Sequence, residues 1–159
     1  MKKCIAGLCL VTGLALPAAA IPLWAPELVS QASPAPLLWG EEQVRARVLE
    51  WFSLQDQAVR TEQLLALLDP TGFQLNFAEG EIHSAEDFNI WWHAFLHRCP
   101  NGSHQVSRVT VQALEDGFEA RLDVDWTSQF GVTTSSFQRW LLRDNQGQPV
   151  IYRMHVVRI

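Results

Sequence analysis

Beyond residue 40 the spacing of apolar residues changes from a helical to a strand rhythm. Over residues 41–57, Val44, Val48, Trp51 and Phe52 recur at the interval that gives a helix one buried face. Glu41 and Glu42 stand at its start, where the positive end of the helix dipole favours carboxylates. Thr61 is placed to cap a second, short helix carrying Leu64, Leu65, Leu67 and Leu68, which Asp69-Pro70 and Gly72 stop. Residues 73–77 alternate as a strand, with Phe73, Leu75 and Phe77 on one side, Gln74 and Asn76 on the other, and Glu79-Gly80 as the next turn. Ser84 and Asp87 have the spacing of a capping box, opening a third helix whose Phe88, Trp91, Trp92, Phe95 and Leu96 form a wide apolar face. Cys99-Pro100-Asn101-Gly102 ends it. From there the period falls to two over 105–114, 118–128, 133–143 and 150–159, a run of four strands. Glu115-Asp116-Gly117 and Asp144-Asn145-Gln146-Gly147 read as tight hairpins, because Gly and Asn take positive φ at little cost.

The chain before this pattern reads differently. Met1-Lys2-Lys3, an apolar run over 5–16 and Pro17-Ala18-Ala19-Ala20 have the layout of a secretory signal, so residues 1–20 are expected to be removed and the protein to be secreted or periplasmic. A retained anchor is the alternative; lipid modification fits less well, since Leu8 ahead of Cys9 is not small. Pro22, Pro26, Pro34 and Pro36 make residues 21–40 an arm or linker, although Trp24, Leu37, Leu38 and Trp39 are apolar bodies that tend to cover a surface. Loss of the signal takes both lysines and moves the formal charge from −5 to −7. It also leaves Cys99 alone, so no internal disulfide is available and stability rests on packing. An acidic chain whose remaining basic residues are scattered arginines has no basic stripe, which excludes it from the usual nucleic-acid binders.

The order helix, helix, short strand pair, helix and four-strand meander over 41–159, with typical stretches at 48–68 and 84–95, resembles the nuclear-transport-factor-2-like superfamily, also called SnoaL-like. The resemblance implies an α+β fold: a cone-shaped, curved, mostly antiparallel sheet wrapped around three helices of the N-terminal half. It further implies an apolar cavity with a few polar groups, and in many members a homodimer through the sheet. Isomerases, dehydratases, epoxide hydrolases, binding modules and inert scaffolds share that fold, so the fold alone does not name an activity.

Each catalytic branch of the family makes demands on particular residues. A ketosteroid-isomerase-like site needs a tyrosine on the first helix, where this chain has Trp51, Phe52 and Gln55; its one tyrosine is Tyr152. A scytalone-dehydratase-like site uses several tyrosines with histidines, and one tyrosine does not supply them. The epoxide-hydrolase-like pattern comes closer. Its Arg-x-Asp is mirrored by Arg121-Leu122-Asp123, and Gln74-Leu75-Asn76 keeps the amide of its Tyr-x-Asn, but its second acid has no counterpart. By this resemblance Asp123 would donate or accept a proton, Arg121 would orient it and Asn76 would hold substrate or water. Strand parity speaks against that role. Glu119, Arg121, Asp123 and Asp125 alternate with Ala120, Leu122, Val124 and Trp126, the pattern of a wet outer face, and only a bulge would turn Asp123 inward.

His93 and His97 lie four apart on a helix and would share a face with Cys99 or His104 nearby, but no acidic residue completes a peptidase-type helix motif, and the helix dipole explains a cationic end. No metal or cofactor is therefore expected. Asp56, at the end of the first helix, faces either solvent or the cavity mouth. Trp51, Trp92, Phe95, Trp126 and Tyr152 are the expected ligand-binding residues of an aromatic cavity. Two readings are open. One is an exported domain holding a small hydrophobic molecule, without a complete catalytic set, with no nucleic-acid partner and no membrane after signal removal. The alternative is a cofactor-free hydrolase, isomerase or dehydratase using Asp123 and Arg121.

Overall fold

The structure, a computed structural model, describes residues 39–159; the expected signal segment and all of the arm except Trp39 and Gly40 lie outside the described residues. Helices α1 (Glu41–Asp56), α2 (Thr61–Leu65) and α3 (Ala85–Arg98) all belong to the first two-thirds of the chain. The strands are β1 (Gln74–Phe77), β2 (Gly80–Ile82), β3 (Ser103–Leu114), β4 (Gly117–Thr127), β5 (Thr133–Asn145) and β6 (Gln148–Arg158). They form one curved, unclosed sheet in the order β2-β1-β6-β5-β4-β3, antiparallel throughout except where β1 runs parallel to β6. The α+β architecture implied by the sequence is thus present. Among the described residues no helix is long and apolar enough to cross a membrane.

Local chemistry explains most element ends. The Ser84 hydroxyl accepts from the Asp87 N–H at 3.1 Å and donates to the Asp87 carboxylate at 2.7 Å, fixing the start of α3. The Gln43 side chain accepts from the Gly40 N–H at 2.9 Å and does the same for α1. Thr61 behaves differently from its expected role as a cap. Arg60 occupies the cap position, while Thr61 is the first helical residue, and its buried hydroxyl instead donates to Asn89 on α3 at 2.7 Å. Gln146 and Gly147, both at positive φ (55° and 82°), make the two-residue turn between β5 and β6.

The core lies between the helices and the concave face of the sheet. Trp51 of α1 meets Trp140 of β5 edge-on at 5.9 Å and Phe88 of α3 at the same distance, with Leu75, Ile151 and Met154 beneath them, all essentially inaccessible. Each such side chain contributes about 2 kcal/mol by leaving water. Trp39 extends this core at the far end of the sheet, lying 4.9 Å from Phe118 and donating its indole N–H to Asp144 at 2.6 Å.

Two bulges set which residues face inward. In β3 the pairing passes from Val106↔Val124 to Arg108↔Asp123, leaving Ser107 extra; in β6 it passes from Arg153↔Leu141 to Ile151↔Leu142, leaving Tyr152 extra. An extra residue bends the strand and reverses the alternation beyond it. Strand β4 pairs without interruption with β5 from Gly117 to Thr127, so its own parity never changes.

Candidate functional site

Helices α1 and α3 and the concave sheet enclose a cavity of about 360 Å³ that opens beside the β1–β2 turn and the C-terminal end of α3. Aromatic rings make most of the wall. Phe77 stacks on Trp91 at 4.4 Å with 7° between planes, Trp91 lies 5.6 Å from Phe95, and Phe95 meets Trp126 edge-on at 6.3 Å. The spacing of Trp91 and Phe95 on α3 puts both on the cavity side of that helix. Trp126 reaches its place over Gly102, where a Cβ would fall 2.4 Å from the indole nitrogen, so the glycine is needed for close approach.

The polar groups fall into a committed set and an uncommitted set. Gln138 accepts the indole N–H of buried Trp140 at 3.0 Å and donates to the Ser136 hydroxyl at 3.1 Å, while Ser136 donates to the Val124 carbonyl at 3.3 Å. These bonds fix the orientation of the Gln138 amide and leave its second N–H for the cavity. Gln55, 7% exposed and also in the wall, has no side-chain hydrogen-bond partner among the described residues. Among the described residues no side-chain polar atom is both buried and unpartnered, so the Gln55 amide opens onto the cavity, where a polar atom of a ligand can bond it.

His104 lines the same wall, with Asp56 bonded to it from outside the lining. Asp56, the last residue of α1, accepts the backbone N–H of His104 at 3.0 and 3.1 Å and meets its ring Nδ1 at 2.6 Å. A carboxylate only accepts, so Nδ1 carries the proton and Nε2 keeps its lone pair. Burial depresses the pKa of His104, and the hydrogen bond and charge of Asp56 offset this only in part, so the imidazole is held neutral below its ordinary range. Its ring packs 5.0 Å from Phe52. The bulge at Ser107 makes the site possible: it brings His104 and Val106 onto the inner face shared by Val109 and Val111. At the mouth, Arg158 donates to Glu79 at 2.7 Å, and Arg98 lines the opening with its Nε bonded to the Ala94 carbonyl at 3.2 Å.

No family model matches the chain, and no curated protein matches it. Solved structures do. A protein of unknown function with a cystatin-like fold from Nostoc punctiforme superposes with a TM-score of 0.66 at 14% identity, over 74% of this chain and 90% of its own. A candidate dehydratase of the NTF2-like family from Streptomyces avermitilis gives 0.66 at 11%, over 74% and 94%. An NTF2-like protein of unknown function from Pseudomonas putida gives 0.64 at 12%, over 73% and 84%. The chain has the NTF2-like fold.

Within this NTF2-like domain the residues picked from sequence divide sharply. Trp51, Phe95 and Trp126 line the cavity. Trp92 does not: it is wholly buried between elements and donates its indole N–H to the Val59 carbonyl at 2.9 Å. Tyr152 is the extra residue of the β6 bulge and lies outside the wall, 5.1 Å under the Arg143 guanidinium. Asp123, Arg121 and Asn76 are likewise absent from the wall. Asp123 pairs with Arg108 at 2.6 Å, Arg121 bonds Glu119 at 2.5 Å, and Asn76 accepts from Gln74 at 3.3 Å on the side of β1 opposite Leu75. The uninterrupted pairing of β4 is the reason, since no bulge turns Asp123 inward. His93 and His97 are exposed on α3, and among the described residues no three His, Cys, Asp or Glu side chains are grouped as metal ligands. Gln138 and the Asp56–His104 pairing were not picked out from sequence. Asp56 and His104 each stood out separately, but 48 residues separate them, and only packing makes them a pair.

Proposed function

We propose that this domain is exported and holds one small, mainly apolar molecule in its aromatic cavity, with Gln55, Gln138 and His104 meeting the few polar atoms of that molecule. The observation that supports it is the Gln55 amide, without a side-chain partner among the described residues and open to a cavity walled mainly by aromatic rings. A volume of about 360 Å³ is at the small end of ligand pockets, which suits a bicyclic aromatic molecule. Titration with 2-naphthol, followed by the indole N–H resonances of Trp51 and Trp126, tests it. Saturable shifts are expected, abolished by Ser136→Phe, which fills the cavity. Shifts that survive the filling substitution would mean that the probe binds elsewhere.

The Asp56–His104 geometry favours a second reading, an isomerase or dehydratase that works by proton transfer without a cofactor. Nε2 of the neutral imidazole would accept a proton from carbon next to a carbonyl, while a glutamine N–H takes the growing charge on oxygen. This keeps the reaction class that the sequence suggested and moves it from Asp123 to His104. Exchange of the α-protons of 2-tetralone for deuterium should run faster with the protein than in buffer; equal rates would leave binding alone. A homodimer through the outer sheet face, where exposed Phe137 and Val157 lie opposite each other, belongs to the same proposal and is read by sedimentation.

A further inference from the structure

The lining of the cavity mouth has more arginines than acids, although the chain as a whole is acidic. The chain has 17 acidic residues against 12 basic ones, yet the wall holds two arginines, Arg98 and Arg158, against one acid, Glu79; Asp56 lies next to the wall but not in it. Glu79 lies in the wall and bonds one terminal nitrogen of Arg158; Asp56 stands behind His104 and is spent on it. Within the lining itself, one cation therefore has no carboxylate partner among the described residues.

That cation is Arg98. It comes seven residues after Trp91 and three after Phe95 on α3, so it continues the face that makes the aromatic wall. Its position at the helix end complements the dipole, but the structure uses only its Nε, on the Ala94 carbonyl. Its terminal nitrogens have no carboxylate within reach among the described residues, and the planar fork they form matches two carboxylate oxygens. Arg158 retains four further N–H donors besides the one on Glu79.

Resting on the cavity-binding reading above, we propose that the ligand is a small monoanionic carboxylate: an apolar or aromatic body among Trp51, Trp91, Phe95 and Trp126, and a carboxylate at the mouth on Arg98, with Arg158 beside it. The deep end offers neutral amides only, which sets the direction of entry, apolar body first. A guanidinium favours the charged ligand over a neutral one of the same shape, and because both arginines are exposed the preference is largest at low salt.

The test compares 1-naphthaleneacetate with 1-naphthaleneacetamide, which has the same ring and nearly the same size, on the full chain by the Trp51 and Trp126 indole N–H shifts. The acid should bind about tenfold more tightly at low salt. Arg98→Gln should reduce that preference to less than about threefold while the amide binds as before, and the unchanged remainder of the spectrum shows that the variant is folded. Equal affinity for acid and amide, with both moving the cavity indoles, would overturn the carboxylate inference and leave the cavity reading in place. If neither moves the indoles, the cavity reading fails and the inference with it. A preference that persists in Arg98→Gln and vanishes in Arg158→Gln would also overturn the assignment to Arg98.

Discussion

Asp123 and Asp56 are both aspartates with a basic partner 2.6 Å away, and they sit in opposite surroundings, one on the outer face of the sheet and one beside the cavity. Asp123 is on the outer face of β4, its carboxylate paired with an Arg108 side chain that is 69% exposed. Close by, Glu119 is buried under Arg121 and Arg139; burial pushes its pKa up, and the two guanidiniums outweigh this and hold it below its ordinary range. Every carboxylate in that group is neutralised by a fixed cation and has nothing left to exchange. Asp56 is instead bonded to a group that can change its protonation state, and that group lines the aromatic cavity. The contrast shows that a carboxylate close to an arginine on one strand is a motif of folded surfaces, whereas a carboxylate behind a buried imidazole is a device that prepares a lone pair.

The contrast breaks most visibly at His104. If the proton-transfer reading holds, His104→Asn should lower the 2-tetralone exchange rate by about 10²-fold or more, while Asp123→Asn leaves it within about twofold. Comparable losses in the two variants would erase the distinction. On the outer face the effect should fall on stability instead. Glu119→Gln leaves two guanidiniums facing a neutral amide; because both are more than half exposed, the cost should be about 2 kcal/mol in urea unfolding, below the cost of breaking a fully buried pair, with the naphthol affinity unchanged. Gln55→Leu sharpens the comparison by acting on binding rather than folding. Because the amide opens onto the cavity, its loss should change stability by less than about 0.5 kcal/mol and weaken 2-naphthol relative to naphthalene by about tenfold; a larger destabilisation would mean that the amide has a partner. Asp123→Asn should cost less than about 0.5 kcal/mol, since its partner is largely in water.

The smallest effect concerns pH. The folded-state pKa of His104 is lowered, so as pH falls the unfolded chain takes up a proton before the folded one does. The contribution of this residue is therefore fully present above the unfolded value of about 6.5 and is lost as pH falls from there through the folded value. In His104→Gln the urea midpoint should decline less between neutral pH and pH 5 than in the natural chain; an identical decline would mean that the fold does not hold this imidazole neutral.

Much of the architecture could be read locally. The helical spacing of Val44, Val48, Trp51 and Phe52, the Ser84–Asp87 cap and the alternation of β4 are decided by neighbouring residues, and all three appear in the structure where the sequence puts them. The outward parity of Asp123 was legible for the same reason. Tyr152 was not, because a bulge adds one residue without a compositional mark and reverses the facing of the strand residues beyond it. Trp92 shows a related limit. Two adjacent tryptophans on one helix point in different directions, and which of them meets the cavity depends on where the neighbouring elements sit.

The sequence by itself determined the order and type of elements, the apolar faces of the helices and the acidic, arginine-only character of the domain, because periodicity and charge are properties of near neighbours. Tertiary structure alone decided the site. It brought the end of α1 to the start of β3 so that Asp56 meets His104, used the Ser107 bulge to turn that histidine inward, and left Gln55 without a partner inside the aromatic wall. Each of these depends on contacts between residues far apart in the chain, whose geometry no local pattern encodes.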